Sequence, residues 1–240
     1  ECEVKTIDKQ TIIERLMLLG LTRQEATIYL HLFENNELTG YEAAKSTGIS
    51  RSNVYSALAS LVDKGAAYIV EGAATKYTPV PIDELCENRI RLLRETKEYL
   101  STSMPRMTDS DVGYITIEGY RNILDKITNM LLQAQYRVYL AISGDKLKTI
   151  QSELERLAER EIKVVILTDR QVSVDGATLY CETKRDEQIH LITDSKYVLT
   201  GDMTGKDTDT CLYSGQVNFV NVLKDALRNE IKLNELSGGK

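Results

Sequence analysis

Several residue types are scarce in this sequence of 240 residues. It has no Trp, two Phe and two His, so its cores have to be built from Leu, Ile, Val and Tyr. No apolar run approaches the roughly 18 residues that a transmembrane helix needs, and no basic-then-apolar stretch opens the chain. These absences predict a cytoplasmic protein without a membrane partner.

Cysteine is also sparse, with four residues at Cys2, Cys86, Cys181 and Cys211 and no C-x-x-C pair. Because the chain also has few histidines, we expect neither a metal site nor a cofactor. Reduced, buried thiols are the simplest interpretation. A redox-responsive alternative stays open, in which Cys181 and Cys211 pair across adjacent strands with Cα atoms within about 7 Å.

The net charge of −6 differs from that of many nucleic-acid-binding domains, which are basic. Any DNA contact must therefore depend on local charge. Residues 43–78 carry four basic and two acidic residues. That local balance permits DNA binding, with modest affinity per monomer.

Residues 6–81 have the pattern of four helices followed by a hairpin. Thr22 and Glu25 have the spacing of a capping box, and Thr39 precedes the next amphipathic stretch. Two helices joined by a short glycine-containing turn form a helix-turn-helix. The segments AAYIV and TKYTPV then alternate around a Gly-bearing turn, which predicts the hairpin of a winged helix.

The stretch GISRSNVYSALASLVDKG, residues 48–65, is the second helix of that motif. One helical face carries Val54, Leu58, Leu61 and Val62, which predicts that this face is buried. The opposite face carries short polar side chains, which suit a helix lying in the major groove of DNA. The same winged helix could instead serve as a protein-interaction module, and that alternative stays open.

Two kinds of DNA contact are predicted. Asn53 can pair with adenine through two hydrogen bonds, and Arg51 can pair with guanine or bind a phosphate. Lys45, Lys64 and the wing residue Lys76 suit the DNA backbone. Besides Lys64, the predicted contact residues are Lys45, Ser50, Arg51, Ser52, Asn53, Tyr55, Ser56, Ser60, Lys76 and Tyr77.

Residues 82–108 predict one long helix with an apolar row at heptad spacing. Lys97 interrupts the row. We expect this helix to link the domains and to form a homodimer, although it could also pack on its own domain. The predicted dimerisation residues are Cys86, Ile90, Leu93, Leu100 and Met104.

From residue 112 to residue 240 the pattern changes to strands alternating with helices, which predicts a mixed, largely parallel sheet covered by helices. In such folds a ligand lies beyond the carboxyl ends of the strands. We expect a small effector there, although ordinary caps and turns would have the same sequence pattern. The predicted effector residues are Ser143, Gly144, Asp169, Arg170, Asp194, Gly201 and Asp202.

Several motifs resemble the TrmB family of transcriptional regulators. They are LGLTRQEATIYLHL, KYTPV and above all R-S-x-V-Y-x-x-L-x-x-L-x-x-x-G, which runs from Arg51 to Gly65. The resemblance implies a dimeric regulator that binds palindromic promoter DNA through a winged helix, with a long dimer-forming linker. The wing turn departs from the family's Gly-x-Pro, since it contains Gly72, Ala73 and Ala74.

The third segment resembles the family's carboxy-terminal domain, which is similar in fold to one half of a phospholipase D. That enzyme needs H-x-K-x-x-x-x-D, whose His attacks phosphorus. If Asp194 is the Asp of the motif, Glu187 stands at the His position and Ile189 at the Lys position, while His190 is out of register. The resemblance therefore implies a non-catalytic sensor of a small ligand, with sugars as the class that some members sense.

The sequence thus predicts an α+β multidomain protein that acts as a homodimeric, DNA-binding transcriptional regulator. Its parts are a winged helix-turn-helix, a long linker helix and an α/β phospholipase D-like half-domain without the catalytic motif. Its predicted partners are double-stranded DNA, a second copy of the chain and a small-molecule effector.

Overall fold

The computed structural model describes residues 8–105, 113–181 and 186–236. The chain divides into two compact units, Glu1–Arg106 and Met107–Lys240. Cys2 and residues 106–112, where the predicted linker helix ends and the predicted third segment begins, lie outside the described residues. The division into domains at 6–81, 82–108 and 112–240 stays a prediction.

The first unit combines helices with a small sheet. Its elements are α1 (Lys9–Leu18), α2 (Arg23–Asn35), β1 (Leu38–Thr39), α3 (Gly40–Thr47), α4 (Arg51–Asp63), β2 (Ala67–Val70), β3 (Lys76–Pro79) and α5 (Ile82–Ser103). The predicted winged helix-turn-helix is confirmed. Sequence reasoning missed β1, which pairs with β3 and adds a third strand to the wing, because two residues are too few for a periodic pattern.

Local capping explains where these helices begin and end. The predicted capping box at Thr22 is confirmed, and Thr39 with Glu42 forms a second one. In each box the threonine N–H donates to the glutamate carboxylate, at 2.7 Å for Thr22 and 2.8 Å for Thr39. Gly48 ends α3 in the left-handed conformation that glycine adopts without a steric penalty.

The linker helix is shorter than predicted. Met104 has an extended backbone, with φ −74° and ψ 142°, because the ring of Pro105 disfavours helical geometry in the preceding residue. Met104, predicted as part of the heptad row, therefore lies just beyond α5.

The second unit contains a seven-stranded sheet. Its elements are β4 (Tyr114–Glu118), α6 (Tyr120–Gln133), β5 (Arg137–Ala141), α7 (Gly144–Leu147), a 3₁₀ turn (Lys148–Ile150), α8 (Gln151–Glu159), β6 (Lys163–Thr168), β7 (Ala177–Cys181), β8 (Gln188–Thr193), β9 (Tyr197–Asp202), β10 (Thr210–Ser214) and α9 (Val217–Leu236). The break between α7 and α8 coincides with the Thr149 hydroxyl, which donates to the Lys146 carbonyl oxygen at 2.6 Å.

The strand order is β4-β10-β9-β8-β5-β6-β7. The predicted mixed sheet is confirmed, but it is not largely parallel, since β5–β6 and β6–β7 are parallel and the other four pairings are antiparallel. A parallel pair needs a crossover of a dozen or more residues, and residues 194–196 between β8 and β9 are too few. Asp194 and Ser195 both have positive φ there, as in a tight hairpin turn.

Helices cover both faces of this sheet. On one face a core cluster includes α6 and α8, and on the other a second cluster includes α9. Along β6, Val164 and Ile166 belong to the first cluster, while Val165 and Leu167 belong to the second. Burial on both faces explains why the strand KVVILT is almost continuously apolar.

Candidate nucleic-acid interface and ligand cavities

The outer face of α4 is the strongest candidate for nucleic-acid binding. Ser50 caps the helix, with its hydroxyl accepting the Asn53 N–H at 3.4 Å. Val54, Leu58 and Leu61 are completely buried, as predicted. This packing leaves the opposite face exposed, with Arg51, Ser52, Asn53, Tyr55 and Ser56.

Two aromatic contacts shape this face. The guanidinium of Arg51 lies 4.6 Å from the ring centroid of Tyr41 on α3. The Tyr55 ring packs against Gly40, where a Cβ atom would lie 2.6 Å from its Cζ. Sequence reasoning missed Tyr41, because helical periodicity within α4 does not show what α3 brings beside it.

Lys45 on α3 adds an exposed positive charge near this face. Within the described ranges it forms no ion pair. Glu42 is the nearest carboxylate along α3, and the Thr39 N–H that it accepts lowers the pKa of that carboxyl. Lys45 is thus free to meet a phosphate.

Two residues predicted for DNA contact instead stabilise the fold at the other end of α4. The Lys64 ammonium donates to the Glu25 carboxylate at 2.6 Å and to the Gly20 carbonyl oxygen at 3.1 Å. Burial acts to raise the pKa of Glu25, but Lys64, the Thr22 N–H and the Ser60 hydroxyl outweigh it and hold the pKa at about 2. Ser60 and Lys64 thus already have partners within the fold, and their DNA contacts stay a prediction.

The wing also differs from the sequence prediction. Lys76 pairs with Glu37 at 2.6 Å, so its charge is already compensated in the free protein. Tyr77 is half-buried against the core of the first unit and pairs across strands with Leu38 and Ile69. Tyr77 thus contributes to packing of the first unit, and its DNA contact stays a prediction.

Helix α5 exposes an apolar row. Leu85 is buried, whereas Ile90, Leu93 and Leu100 are 39%, 68% and 44% exposed. Cys86 is partly exposed at the start of the same row. Such a row on a long helix is a surface on which a second helix can pack.

In the second unit, the predicted effector residues at the carboxyl ends of β5 and β6 contact one another. The Gly144 N–H donates to the Asp169 carboxylate at 2.8 Å, and the Arg170 guanidinium pairs with Asp145 at 2.6 Å. A Cβ atom on Gly144 would lie 2.8 Å from the Arg170 side chain. Ser143 precedes α7, and its backbone carbonyl oxygen accepts the N–H groups of Lys146 and Leu147 in that helix.

Gly201 and Asp202 lie at the same edge of the sheet, at the end of β9. A Cβ atom on Gly201 would lie 2.6 Å from the Cα of Cys211, so glycine is required there by close strand packing. The assignment of this edge to an effector stays a prediction.

Asp194 lies at the opposite edge of the sheet, because β8 runs antiparallel to β5. Its carboxylate accepts the backbone N–H groups of Gln135, Tyr136 and Arg137 at 2.9, 2.8 and 3.0 Å. Burial acts to raise the pKa of Asp194, but these donors outweigh it and lower the pKa. Grouping Asp194 with Gly144 and Asp169 was therefore wrong.

The redox alternative fails on strand order. Cys181 lies on β7 and Cys211 on β10, with four strands between them. At about 4.8 Å per strand, the two cysteines are about 24 Å apart. Cys181 and Cys211 therefore do not lie on adjacent strands, as the redox alternative required.

Two residues stand where the predicted alignment places the His and Lys of the phospholipase D motif. Ile189 is completely buried in the core, while Glu187 is exposed. His190 faces a neighbouring strand, with its Nδ1 atom 2.6 Å from the Thr200 hydroxyl.

A polar cavity of about 490 Å³ lies beside Asp194. The rings of Tyr197 and Tyr213, which line it, stack with centroids 5.9 Å apart. The Lys126 ammonium lies 3.5 Å from the Tyr213 ring centroid, and burial lowers the pKa of this lysine. The other lining residues are Met130, Leu132, Gln133, Gln135, Arg160, Thr193 and Lys196.

The described residues contain no group of three or more His, Cys, Asp or Glu that could hold a metal ion. Among them, no helix is both long and apolar enough to cross a membrane.

Comparisons with known proteins agree with the helix-turn-helix. Residues 16–83 match the family model described as sugar-specific transcriptional regulator TrmB. Residues 113–224 match the model described as transcriptional regulator TrmB, EBD N-terminal subdomain.

Individual relatives are identical to this chain at about a third or fewer of the aligned positions. The uncharacterized protein YrhO of Bacillus subtilis (strain 168) is 32% identical over 184 residues, which cover 75% of this chain and 66% of YrhO. The HTH-type sugar sensing transcriptional regulator TrmBL1 of Pyrococcus furiosus is 22% identical over 67% of this chain and 48% of TrmBL1. The chain thus spans about half to two thirds of the length of these curated relatives.

The solved structures that are similar to this chain include that of TrmBL2, which is described as an archaeal chromatin protein with a novel mode of DNA binding. Its TM-score is 0.45 at 21% identity, covering 93% of this chain and 98% of that one. NucT from Helicobacter pylori has a TM-score of 0.43 at 14% identity, covering 51% of this chain and 97% of that one.

Proposed function

This chain belongs to the TrmB family of transcriptional regulators, and we propose that it binds DNA sequence-specifically as a homodimer on a palindromic operator. The observation that carries this proposal is the exposed polar face of α4. Its short side chains let the helix backbone approach base edges closely.

The proposed DNA contacts are of two kinds. Some side chains contact base edges and recognise sequence, and others contact phosphates and position the protein on the DNA. Asn53 lies in the first turn of α4 and is exposed, as is Ser56 one turn later. Arg51 is held beside Tyr41 and can reach guanine or a phosphate. Lys45 and the Ser50 cap at the amino end of α4 suit a phosphate, because helix amino termini attract anions.

The exposed row on α5 supports dimerisation. Packing Ile90, Leu93 and Leu100 against the same residues of a second copy would remove their side chains from water. Two copies place two α4 helices on one DNA face, with half-sites about 34 Å apart. A dimer would also compensate for the modest charge of each monomer.

We further propose that residues 6–81 bind DNA, residues 82–108 dimerise and residues 112–240 sense a ligand without catalysis. The buried Ile189, where the phospholipase D motif needs a lysine, supports a non-catalytic role. The expected rate of phosphodiester hydrolysis is that of buffer alone. A measurable turnover that disappears in His190→Ala would contradict this part.

A sugar is the proposed effector. Of the two edges of the sheet that carry predicted effector residues, we propose the polar cavity beside Asp194 as its site, because polar side chains line it. The edge with Gly144 and Asp169 stays the alternative. A sugar ring presents C–H groups that can pack on Tyr197 and hydroxyls that can bond to Gln133, Gln135 and Thr193. Titration of the full chain with mono- and disaccharides should find a saturable ligand whose affinity falls in Tyr197→Ala. Equal affinity in both proteins would reject this site.

Selection of bound sequences from random DNA by the full chain tests the DNA proposal. We expect enrichment of a two-fold symmetric sequence with half-sites about 10 base pairs apart. An enriched but asymmetric single site would reject the dimer while keeping DNA binding.

Salt dependence separates DNA binding from the alternative of a protein-interaction module. A dimer that contacts about six to ten phosphates gives a log-log slope near −0.9 per phosphate. No enrichment of any sequence, together with a flat salt dependence, would favour the protein-interaction module.

A further inference from the structure

A second cavity lies on the other face of the sheet, between α9 and strands β5 to β8. Its volume is about 200 Å³. A cavity of about 150 Å³ lined by apolar side chains can hold a benzene ring. This one is therefore large enough for a single aromatic ring or a short branched chain.

Apolar side chains line most of this cavity, both on the side of the sheet and on the side of α9. Tyr139 pairs in register with Val165 on one neighbouring strand and with Ile192 on the other, so these three side chains form a row across three strands. Leu227 and Ile231, one helical turn apart on α9, line the cavity from above.

Cations supply the charged part of the lining. Lys163 begins β6, while Lys224 and Arg228 are one turn apart on α9. None of the described residues that line this cavity is acidic. Within the described part of the chain, neither Lys163 nor Lys224 forms an ion pair, whereas Arg228 pairs with Asp225 at 2.7 Å.

We propose that this cavity binds a small monocarboxylic acid with a compact apolar body, of about the size of benzoate. The apolar row receives the body, and Lys163 and Lys224 bind the carboxylate through charge-assisted hydrogen bonds. This inference goes beyond the proposed function, because it adds a ligand class and a site on the opposite side of the sheet.

A sugar is a poor occupant of this cavity. Its hydroxyls would face Val165, Ile192 and Leu227, which offer no hydrogen-bonding atoms, and unpaired buried hydroxyls are unfavourable. The Tyr180 hydroxyl, which lines the cavity, already donates to Glu235 at 3.0 Å. The two cavities thus favour different ligand chemistries.

The test is calorimetric titration of the full chain with sodium benzoate and, separately, with benzamide. Benzamide has nearly the same shape but no charge. We expect one benzoate per chain with a Kd of about 0.1–1 mM and at least about tenfold weaker binding of benzamide. Since both ligands meet the same unaltered protein, the comparison does not depend on a variant that folds.

A pair of variants tests the cations. Lys163→Gln combined with Lys224→Gln should weaken benzoate binding at least about tenfold. Lys232→Gln, an exposed change on α9 outside the cavity, is the matched control and should leave the Kd unchanged.

Three results would overturn the proposal: no saturable benzoate binding up to about 10 mM, equal binding of benzamide, or an equal loss in Lys232→Gln. No DNA is present in these titrations. Their failure therefore leaves the DNA-binding proposal untouched, and a failed DNA selection leaves this proposal untouched.

Discussion

The two ends of α4 carry similar residues with different roles. At the amino end, Arg51 and Ser52 are exposed on the surface proposed for DNA. At the carboxyl end, Ser60 and Lys64 surround the buried carboxylate of Glu25. Helical periodicity predicts the direction in which a side chain points. Whether that side chain is free to contact DNA depends on residues distant in sequence, as Glu25 shows for Lys64.

The largest expected effect comes from removing the carboxylate at the carboxyl end. Glu25→Gln should lower the free energy of unfolding by about 3 kcal/mol, because the Glu25 pKa falls from 4.5 to about 2 in the folded protein and each unit is worth about 1.4 kcal/mol. Urea unfolding at neutral pH measures this loss.

The same shift fixes the pH dependence. Because the folded pKa of Glu25 is depressed, its contribution is fully present above about pH 4.5 and is lost as the pH falls towards 2. Glu42→Gln is the matched control, since Glu42 occupies the same capping-box position but is exposed. Equal losses in the two variants would show that the cap, and not the Lys64 contact, carries the effect.

Local sequence signals predicted much of the fold. The capping box at Thr22 and the Ser50 cap involve residues three positions apart, so they are visible in sequence. The buried row of Val54, Leu58 and Leu61 follows helical spacing in the same way.

Contacts between distant residues had no such signal. Glu25 meets Lys64 across 39 positions, and Asp194 accepts N–H groups from residues 57 to 59 positions away. The connection at 194–196 is too short for a parallel crossover and so indicates an antiparallel β9, whereas the alternation of strands and helices by itself favours parallel strands. Both cavities arise where side chains from separate elements fail to fill space, which no motif encodes.

The next effect in size concerns the amino end of α4. Asn53→Ala should cost about 1–3 kcal/mol of DNA-binding free energy at one base pair of the selected operator. Its unfolding free energy should change by less than about 0.5 kcal/mol, because the side chain is exposed. Competition binding with operators altered at each position measures this. A uniform loss across all sequences would assign Asn53 to the DNA backbone.

At Ser60 we expect a smaller effect of the opposite kind, a loss of stability without a loss of DNA binding. Ser60→Ala should lower the unfolding free energy by about 0.5–1.5 kcal/mol, because Glu25 loses one of the groups that offset its burial. Operator affinity should not change once both proteins are fully folded. Ser56→Ala is the matched control and should weaken DNA binding without loss of stability. If Ser60→Ala instead lowered affinity at unchanged stability, the contrast between the two ends would disappear.

The smallest expected effect concerns two lysines. Lys76 is paired with Glu37, whereas Lys45 forms no ion pair within the described residues. Lys45→Ala should reduce the magnitude of the log-log salt slope of DNA binding by about 0.9 per monomer, the value for one phosphate contact. Lys76→Ala should reduce it less, because Lys76 must leave Glu37 before it can bind a phosphate. Glu37→Gln frees Lys76 and should increase affinity for all sequences alike, most strongly at low salt. Equal slopes for Lys45→Ala and Lys76→Ala, with no gain in Glu37→Gln, would show that the Glu37 pair does not restrain Lys76.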